Sequence, residues 1–565
     1  MPLVSVRNLA GAGVITDVDA YDLPPNSLSM ATNARCSDAA IERGPVARSA
    51  GQSLPRDPVH AFGFDAASGS TAVHVVDEQG YARSWSTSSQ ADISPASGWT
   101  ASVNDSSVTS TILQDVVYIN REDRTPWYRG KVAAGSYSIL SSYAPTPGQA
   151  FPSNVRFKSL RATAGMLVGV GVTEGGTLYP NQVWWSDLAK AQGLPPSNWD
   201  VANGSYGGAS ISGRNTLAEM QGSLVDGWKL GNDLVLYGTK ETYKMEFVGG
   251  GNVFNFRRLF GAGVLNTNCI VERDGVHYVF GTDDIYKHDG NTTRISIAQG
   301  RVRNYIYRNL VQTEVKRSFV VHDTALGQIM FCYTSSDRYC AFPYKPGGTL
   351  KGCNRAAVYN YVNDTWSMYD LPWVGSYAYG QVVSGLTYNL STGLTYDNIG
   401  GSYAAQGSVV PNALLLASRA FTSPIDGSAQ AAALRSYGLP NASETAATYD
   451  KFANAPMSFE KIRIDFDDPE PYGLRSPLTG YKYLSWVDVQ GIIPVDAVPV
   501  EVSIGSSDDP SSEPVWVTSQ TFSRSSPRIY CYVAGRYLAF RFKYTDSKPL
   551  RIGNLQLNVD VRSAY

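Results

Sequence analysis

Closely spaced aspartates are the residues of this sequence with the clearest capacity for chemistry. Asp283 and Asp284 are adjacent, and Asp465, Asp467 and Asp468 form a second group. A glycosidase needs two carboxyl groups about 5 to 9.5 Å apart, one as the acid and one as the base or nucleophile. Aspartate is also common in turns, where its side chain binds its own backbone. We favour turns, assign no catalytic residue and expect no enzymatic activity.

Other residues that bind metals are dispersed along the chain. Asp508 and Asp509 would suit a calcium ion at a loop tip, but we again favour a turn. Cys332, Cys340 and Cys353 are the closest cysteines and lack the C-x-x-C step of zinc sites. No two histidines have the short spacing that directs two imidazoles at one metal. We therefore expect no metal and no cofactor. The histidines are His60, His74, His277, His288 and His322, and the other cysteines are Cys36, Cys269 and Cys531.

The usual signatures of acyl transfer and nucleotide binding are missing from the sequence. No G-x-S-x-G elbow stands in a strand-turn-helix context with an acid and a base. No Walker lysine and no glycine-rich loop before a helix is present. The sequence therefore predicts neither activity.

The composition indicates a turn-rich β protein. The 565 residues include 53 Gly and 35 Tyr, and only 17% are charged against 43% apolar. With 47 basic and 49 acidic residues the net charge is −2, which argues against a protein that grips nucleic-acid phosphates. DNA would still be able to pass without being held. The first residues lack a signal-peptide core, and no run approaches the ~20 apolar residues of a membrane span. We expect a protein made in the cytoplasm.

Six packets of alternating apolar and polar residues, between about Val59 and Pro372, predict a β-propeller. Clusters of Gly, Pro, Asn and Ser separate the packets, and their spacing is on the long side of the ~40 to 50 residues of known blades. We predict about six irregular blades, with five or seven left open. Trp366 opens a returning strand and suits a contact between blades. Three further tryptophans fit the core better than a sugar-stacking surface: Trp184, Trp185 and Trp199.

The last hundred residues alternate with period two, strand after strand, as a sandwich or sheet platform requires. We therefore predict an all-β chain in which a propeller carries a second β domain. The predicted divisions are an N-terminal arm that joins the platform (1–55), propeller blades (56–375), a late blade or insertion (376–456) and a C-terminal platform (457–565).

Several phrases occur in an order known from one family. The central phrases DLVLYGTKETYKM and YVFGTDDIYKHDG lie in residues 233–303, and Asn33, Arg35 and Arg43 fall on an opening "N … r … r.pg" phrase. The chain thereby resembles tail nozzle proteins of short-tailed double-stranded DNA bacteriophages. Asn26 stands where the family has a turn glycine.

The resemblance extends to the end of the chain. A late phrase carries Tyr396 or Tyr403 where the family usually has Trp, and GRYLAFRFKYTDSKPLRIGNLQLNVDVR resembles the family's last strands. It implies a propeller whose arm and tail form a platform on a head-to-tail adaptor ring. It also implies six copies, contacts with tail fibres or spikes and a plug or needle, and packaged DNA in the lumen. The tyrosine-rich, lightly charged surface suits large protein interfaces.

Two functions from different classes follow. The first is a structural virion protein of the tail, which retains packaged DNA and opens for ejection after synthesis in the host bacterial cytoplasm. The second is a propeller that binds or hydrolyses polysaccharide, which requires aromatic and carboxylate side chains to converge at one face. The sequence gives no such convergence, so we favour the first.

Overall fold

The regular secondary structure of the chain is nearly all β-strand in the computed structural model. Besides the strands, the described residues contain one α-helix, α1 (Arg303–Asn309), and 3-10 turns at Leu140–Ser142 and Gln312–Arg317. Across the described ranges, no helix is long and apolar enough to cross a membrane. The structure describes residues 3–65, 71–87, 89–96, 99, 107–131, 135–145, 149–190, 192–200, 210–249, 252–348, 351–384, 408–423, 426–440, 450, 454–466 and 480–562.

Short strands fill the N-terminal arm, and four of them pair with strands far along the chain. The arm therefore has its hydrogen-bonding partners elsewhere in the fold. Its strands are β1 (Leu3–Val6), β2 (Gly13–Val14), β3 (Ser27–Leu28), β4 (Met30–Thr32), β5 (Ala34–Ser37), β6 (Ala40–Arg43) and β7 (Val46–Ser53).

Five consecutive segments each form a four-stranded antiparallel sheet whose strands pair in chain order. Turn chemistry sets the hairpins: Asp274 and Gly275, with φ of 50° and 76°, make the tight turn that an Asp-Gly pair favours. Blade 1 is β8 (Pro58–Asp65), β9 (Thr71–Asp77), β10 (Ala82–Trp85) and β11 (Gln90–Asp92); blade 2 is β12 (Val108–Leu113), β13 (Val116–Arg121), β14 (Trp127–Gly130) and β15 (Ser138–Ile139). Blade 3 is β16 (Val155–Thr163), β17 (Met166–Glu174), β18 (Thr177–Trp185) and β19 (Gly213–Thr216); blade 4 is β20 (Leu224–Leu230), β21 (Asp233–Gly238), β22 (Thr242–Phe247) and β23 (Phe254–Phe260). Blade 5 is β24 (Ile270–Arg273), β25 (Val276–Phe280), β26 (Ile285–His288) and β27 (Ile295–Ser296).

One kinked strand completes the sixth blade and begins a seventh. β31 pairs first with β30 and then, from Val374 onward, with β32. The kink lies at Trp373, whose φ of 53° is uncommon for a residue other than glycine. Blade 6 is β28 (Phe319–Asp323), β29 (Gln328–Tyr333), β30 (Cys353–Asn360) and the first half of β31 (Thr365–Ser384). Blade 7 is the second half of β31, then β32 (Ser408–Ser418), β35 (Ala433–Gly438) and the arm strand β7; β33 (Phe421–Thr422) and β34 (Ala429–Gln430) pair separately.

The blades close into a ring. The first strands of consecutive blades lie against one another, and the second half of β31 lies against β8 of blade 1. At this junction the Ala61 N–H donates to Ser376 Oγ (3.0 Å), and a Cβ on Gly63 would overlap the Tyr379 carbonyl. An apolar cluster fills the space between blades 7 and 1; its members include Val73, Trp85, Leu415 and Leu434.

The C-terminal strands form a β-sandwich together with the arm. One sheet has the order β40-β37-β42-β6-β5 with β1 beside β42, and the other continues from blade 6 as β4-β36-β41-β38-β39. Their inner faces share one core, in which the Phe459 and Phe542 rings stack 4.5 Å apart. The strands are β36 (Met457–Ile464), β37 (Tyr481–Ile492), β38 (Val500–Ser507), β39 (Val515–Phe522), β40 (Arg528–Gly535), β41 (Tyr537–Tyr544) and β42 (Arg551–Arg562).

The predicted all-β propeller with a platform built from the arm and the C-terminal strands is confirmed. The described strands make seven blades, one more than the six packets of the sequence. The extra blade combines a strand from the arm with strands between 374 and 438. Within the predicted late segment, 385–407 with Tyr396 and Tyr403, 441–449 and 451–453 lie outside the described residues.

Candidate functional site at the propeller axis

The first aspartate pair lies in a turn held by ion pairs. The buried Asp284 carboxylate accepts a hydrogen bond from Ser296 Oγ (2.9 Å) and lies 3.6 and 3.9 Å from the guanidinium groups of Arg294 and Arg303. Burial raises the pKa of Asp284, and these partners offset part of the rise. Arg303 also donates to the Asp283 carbonyl (2.8 Å). The pair thus fastens blade 5 to α1.

The other candidate aspartates that the structure describes are in or near loops. Asp465 follows β36, and Asp467 and Asp468 lie outside the described residues. Asp508 accepts a hydrogen bond from a tyrosine hydroxyl (2.9 Å), and Asp509 accepts one from the backbone two residues on (2.8 Å). That backbone bond is the main cause that lowers the pKa of Asp509. In the part of the chain that the structure describes, no three His, Cys, Asp or Glu side chains gather to hold a metal ion.

Two histidines that the sequence separates are cross-strand neighbours. His277 pairs with His288 in register, and the hydroxyl of Tyr237 lies 2.7 Å from the first ring and 2.6 Å from the second. The Lys229 carbonyl only accepts, so the 2.9 Å contact fixes a proton on His277 Nε2. The Gly290 N–H donates to His288 Nδ1 (3.0 Å), which leaves its Nε2 as the donor to Tyr237. Burial lowers the pKa of His277 to about 4 and that of His288 to about 3. The remaining histidines are His60, His74 and His322.

The cysteines and the four tryptophans that the sequence singles out lie in the core. All six cysteines are buried free thiols, and burial raises the pKa of the Cys36 thiol to about 12. Trp366 Nε1 donates to the Ile297 carbonyl (3.0 Å) and so bridges blades 6 and 5, as its place in the sequence indicates. Three further tryptophans are buried: Trp184, Trp185 and Trp199.

The residues of the opening phrase join the arm to the rest of the fold. Asn33 exchanges two hydrogen bonds with Asp370 of blade 6, at 3.1 and 2.8 Å. The buried Arg43 donates to three backbone carbonyls, including that of Asn33 (2.9 Å). Arg35 pairs with Glu42 (3.3 Å). These side chains hold the arm between blade 6 and the sandwich.

The propeller axis contains a cavity of about 250 Å³. The innermost strands, or the segments that lead into them, contribute its walls, so it is the place where all blades converge. One lining residue from each blade, in chain order, is Ala61, Ser110, Arg161, Trp228, Asn268, Phe319 and Tyr377.

A buried ion pair closes one side of this cavity. Arg161 binds both carboxylate oxygens of Asp226, at 2.8 and 2.7 Å. The carboxylate also accepts from Ser159 Oγ (2.5 Å) and from the Asn268 N–H (2.9 Å), and Arg161 donates to the Ser110 carbonyl (3.1 Å). The network therefore ties blades 2, 3, 4 and 5 together. Neither Arg161 nor Asp226 belongs to a motif, and no local signal in the sequence marks them.

Known proteins add little beyond the architecture. The chain matches no family model and no curated protein. Solved structures similar to it include the designed protein Ika8, at 8% identity over 69% of this chain and 99% of that chain, with a TM-score of 0.32. A second is BBS1N in complex with ARL6DN, at 11% identity over 72% of this chain and 99% of that chain, with a TM-score of 0.34. A third is the Neurospora crassa Pan2 WD40 domain, at 9% identity over 58% of this chain and 90% of that chain, with a TM-score of 0.30. The strands described above define the class: a seven-bladed β-propeller joined to a β-sandwich.

Proposed function

We propose that this chain is a structural virion protein, the nozzle or distal tube of a short phage tail. In this role several copies, six by the family resemblance, surround a channel that retains packaged double-stranded DNA and opens for ejection. The sandwich docks on a head-to-tail adaptor ring, and fibres or spikes and a plug or needle complete the tail. The protein is made in the host bacterial cytoplasm and acts in the virion.

The opening phrase is the observation that carries the proposal. Asn33, Arg35 and Arg43 match the family phrase in order, and each is buried or half-buried at the junction of arm, blade 6 and sandwich. A match confined to exposed loops would say little about architecture. Here the matching residues build the junction from which the family's platform is made.

The narrow propeller axis bears on where a DNA channel would lie in this proposal. The axial cavity measures about 250 Å³ and is closed on one side by the Arg161–Asp226 pair, whereas the major groove of a duplex alone is about 12 Å wide. A cavity of this size is too small for a duplex, which supports a channel between copies and not within one propeller. The net charge of −2 suits a wall along which DNA slides without being gripped.

An open edge of the sandwich supplies a surface for a neighbouring copy. β39 and β40 each end a sheet, and Val515, Val517, Tyr530 and Tyr532 are at least half exposed there. The β39 sequence VWVTSQTF has no charge and no proline, the features with which proteins protect free edges. We assign this edge to the contact between neighbouring copies.

Immunogold electron microscopy of particles from the source of this chain tests the proposal. Antibody raised against the propeller should label the far end of a short tail, and preincubation with the purified chain should abolish the label. Particles without any label at the tail would refute the nozzle assignment.

An activity assay on the same purified chain distinguishes the polysaccharide-hydrolysing alternative from the nozzle. Hydrolysis of a capsular polysaccharide that an Asp284→Asn variant loses would support the alternative. A blank assay together with tail label would remove it, because a nozzle requires no turnover.

A further inference from the structure

The first sheet of the sandwich has an open strand at each of its two sides. β40 ends it on one side. On the other side, β42 pairs with β6 at its first residues and with β1 further along. β6 continues to β5, which lies against blade 6, whereas β1 has no strand on its outer side among the described residues. The sheet can therefore be extended at β40 and at β1.

The strand directions allow one copy to continue the sheet of another. β40 is antiparallel to β37, β37 is antiparallel to β42, and β42 is antiparallel to β1. The direction therefore alternates across the whole sheet, and a β40 strand of a second copy that lies beside β1 is antiparallel to β1. Antiparallel pairs are the more common kind and the more stable kind per residue.

The outward-facing side chains at the two open sides belong to one row. Tyr530, Trp486, Asn558 and Leu3 are in register across the four strands. Both ends of the row are open to solvent, since Tyr530 is 50% exposed and Leu3 is 61% exposed. Residues opposite each other on antiparallel strands have Cβ atoms about 4.5 to 5.5 Å apart. Leu3 of one copy would therefore contact Tyr530 of the neighbouring copy, and tyrosine is enriched in protein interfaces.

Neither open strand has the usual protection against pairing. β1 has the sequence LVSV, without the charges or prolines that keep free edges apart. The one charged residue of β40 is Arg528, and both carboxylate oxygens of Asp488 accept hydrogen bonds from it at 2.7 Å. Like charges therefore do not oppose each other when β40 lies beside β1.

A contact between β40 and β1 joins two different surfaces, and this determines the kind of assembly. A surface that binds its own counterpart is used up after two copies, whereas a contact between different surfaces repeats from copy to copy and can close into a ring. An edge of β39 and β40 that bound only itself would give pairs. With β1 as its counterpart, the same edge gives the several copies that surround a channel.

We propose that β1 receives the β40 edge of the neighbouring copy, so that the first sheet of the sandwich continues from copy to copy. This contact rests on the proposed nozzle, in which copies meet at the edge of β39 and β40, and it adds the surface of the other copy. Main-chain hydrogen bonds between the strands provide the affinity, and the row of outward-facing side chains sets the register.

Cysteine cross-linking of the full chain tests the contact. Leu3→Cys and Tyr530→Cys are combined in one chain, which is oxidised mildly and run on a denaturing gel without reductant. Because every copy then carries both halves of the contact, we expect a ladder of dimers, trimers and larger species that reductant removes. The six natural cysteines are buried, so the unmodified chain should run as a monomer.

The controls separate this contact from other ways in which two copies meet. Leu3→Cys with Val362→Cys, at an exposed valine of blade 6, should give no ladder. The proposal is overturned if the Leu3→Cys, Tyr530→Cys chain gives no ladder or only as much as this control. It is also overturned if either single variant forms as much dimer as the double variant, because β40 or β1 would then meet its own copy. Circular dichroism verifies that each variant is folded.

A second variant tests the contact without cross-linking. Leu3→Lys should weaken self-association about tenfold in mass photometry, because it places a charge in the contact, and unchanged self-association would overturn the role of β1. Immunogold labelling reports on the nozzle separately. Tail label without a ladder would refute β1 as the counterpart and leave the nozzle in place, whereas a ladder without tail label would refute the nozzle and keep the contact.

Discussion

Mild acid should destabilise the propeller through the cross-strand histidines, because their hydrogen-bond chain has no room for another proton. His277 Nδ1 accepts from Tyr237, and His288 Nδ1 accepts from Gly290. Both rings are therefore neutral in the fold, and protonation of either breaks a bond. The perturbation we choose is His277→Gln, which removes the titrating group and leaves a polar side chain.

The magnitude follows from the pKa of His277, about 4 in the fold against about 6.5 in the unfolded chain. The fold disfavours the proton, so the stability is complete above pH 6.5 and is lost as the pH falls from 6.5 toward 4. Between pH 7.5 and 5.5 this histidine alone should lower the free energy of unfolding by about 1.3 kcal/mol. In His277→Gln, the free energy of unfolding should therefore fall by about 1.3 kcal/mol less between pH 7.5 and 5.5 than it does in the unmodified chain.

Urea unfolding followed by tryptophan fluorescence at the two pH values measures the difference. Tyr237→Phe is the matched control, since it removes hydrogen bonds to both rings but keeps both titrating groups. Tyr237→Phe should be less stable than the unmodified chain at both pH values. Its free energy of unfolding should still fall between pH 7.5 and 5.5 by as much as that of the unmodified chain. If the free energy of unfolding falls equally between pH 7.5 and 5.5 in His277→Gln and in the unmodified chain, the role of His277 is refuted.

Three further variants test other parts of the structure. Asp226→Asn should lower the free energy of unfolding by about 3 to 5 kcal/mol, because it leaves a buried guanidinium without its partner; a loss below about 1 kcal/mol in urea titration would contradict the network's role. Thr267→Val should leave the free energy of unfolding unchanged or raise it, because the buried Thr267 hydroxyl has no hydrogen-bond partner among the described residues. Thr242→Val removes a hydrogen bond to the Ala262 carbonyl (2.8 Å) and should lower the free energy of unfolding by about 1 kcal/mol; equal losses would show that Thr267 has a protein partner. Val517→Lys should weaken self-association about tenfold in mass photometry, whereas Val362→Lys, at a valine on blade 6 that is also exposed, should not. Identical self-association of the two variants would refute the assignment of the β39 edge to the contact between copies.

Local sequence patterns predict the hairpins of this chain but do not predict contacts between residues that are far apart in the sequence. Strand alternation and Asp-Gly turns locate the hairpins of blades 1 to 6, and Trp366 is marked by the turn before it. The partnership of Arg161 with Asp226 joins residues in different blades, so neither position carries a signal of its own. The same holds for His277 and His288, whose spacing of 11 residues becomes a contact only through the register of β25 and β26.

The sequence pattern does not predict the seventh blade, because one of its strands comes from a distant part of the chain. A packet is recognised when consecutive strands are joined by short turns, but β7 precedes blade 1 and pairs with β35. The residues that line the axial cavity likewise come from all seven blades, and only the closed ring brings them together. Sequence reasoning found the phrase of Asn33 and Arg43, yet its role as a junction needed the structure.

The closure of the ring by β7 also sets the order of events during synthesis. Roughly 380 residues of chain separate β7 from its partner β35, and a ribosome adding about 5 to 20 residues per second needs about 20 to 80 s to cross that interval. During this time the earliest strands exist with unsatisfied edges, while blades 1 to 6 emerge in turn. A chain released before residue 433 lacks the partner strand of β7 and cannot close its ring. Ring closure therefore occurs only in chains whose translation has passed the seventh blade, and the pairing of β1 and β6 with β42 has to wait longer still.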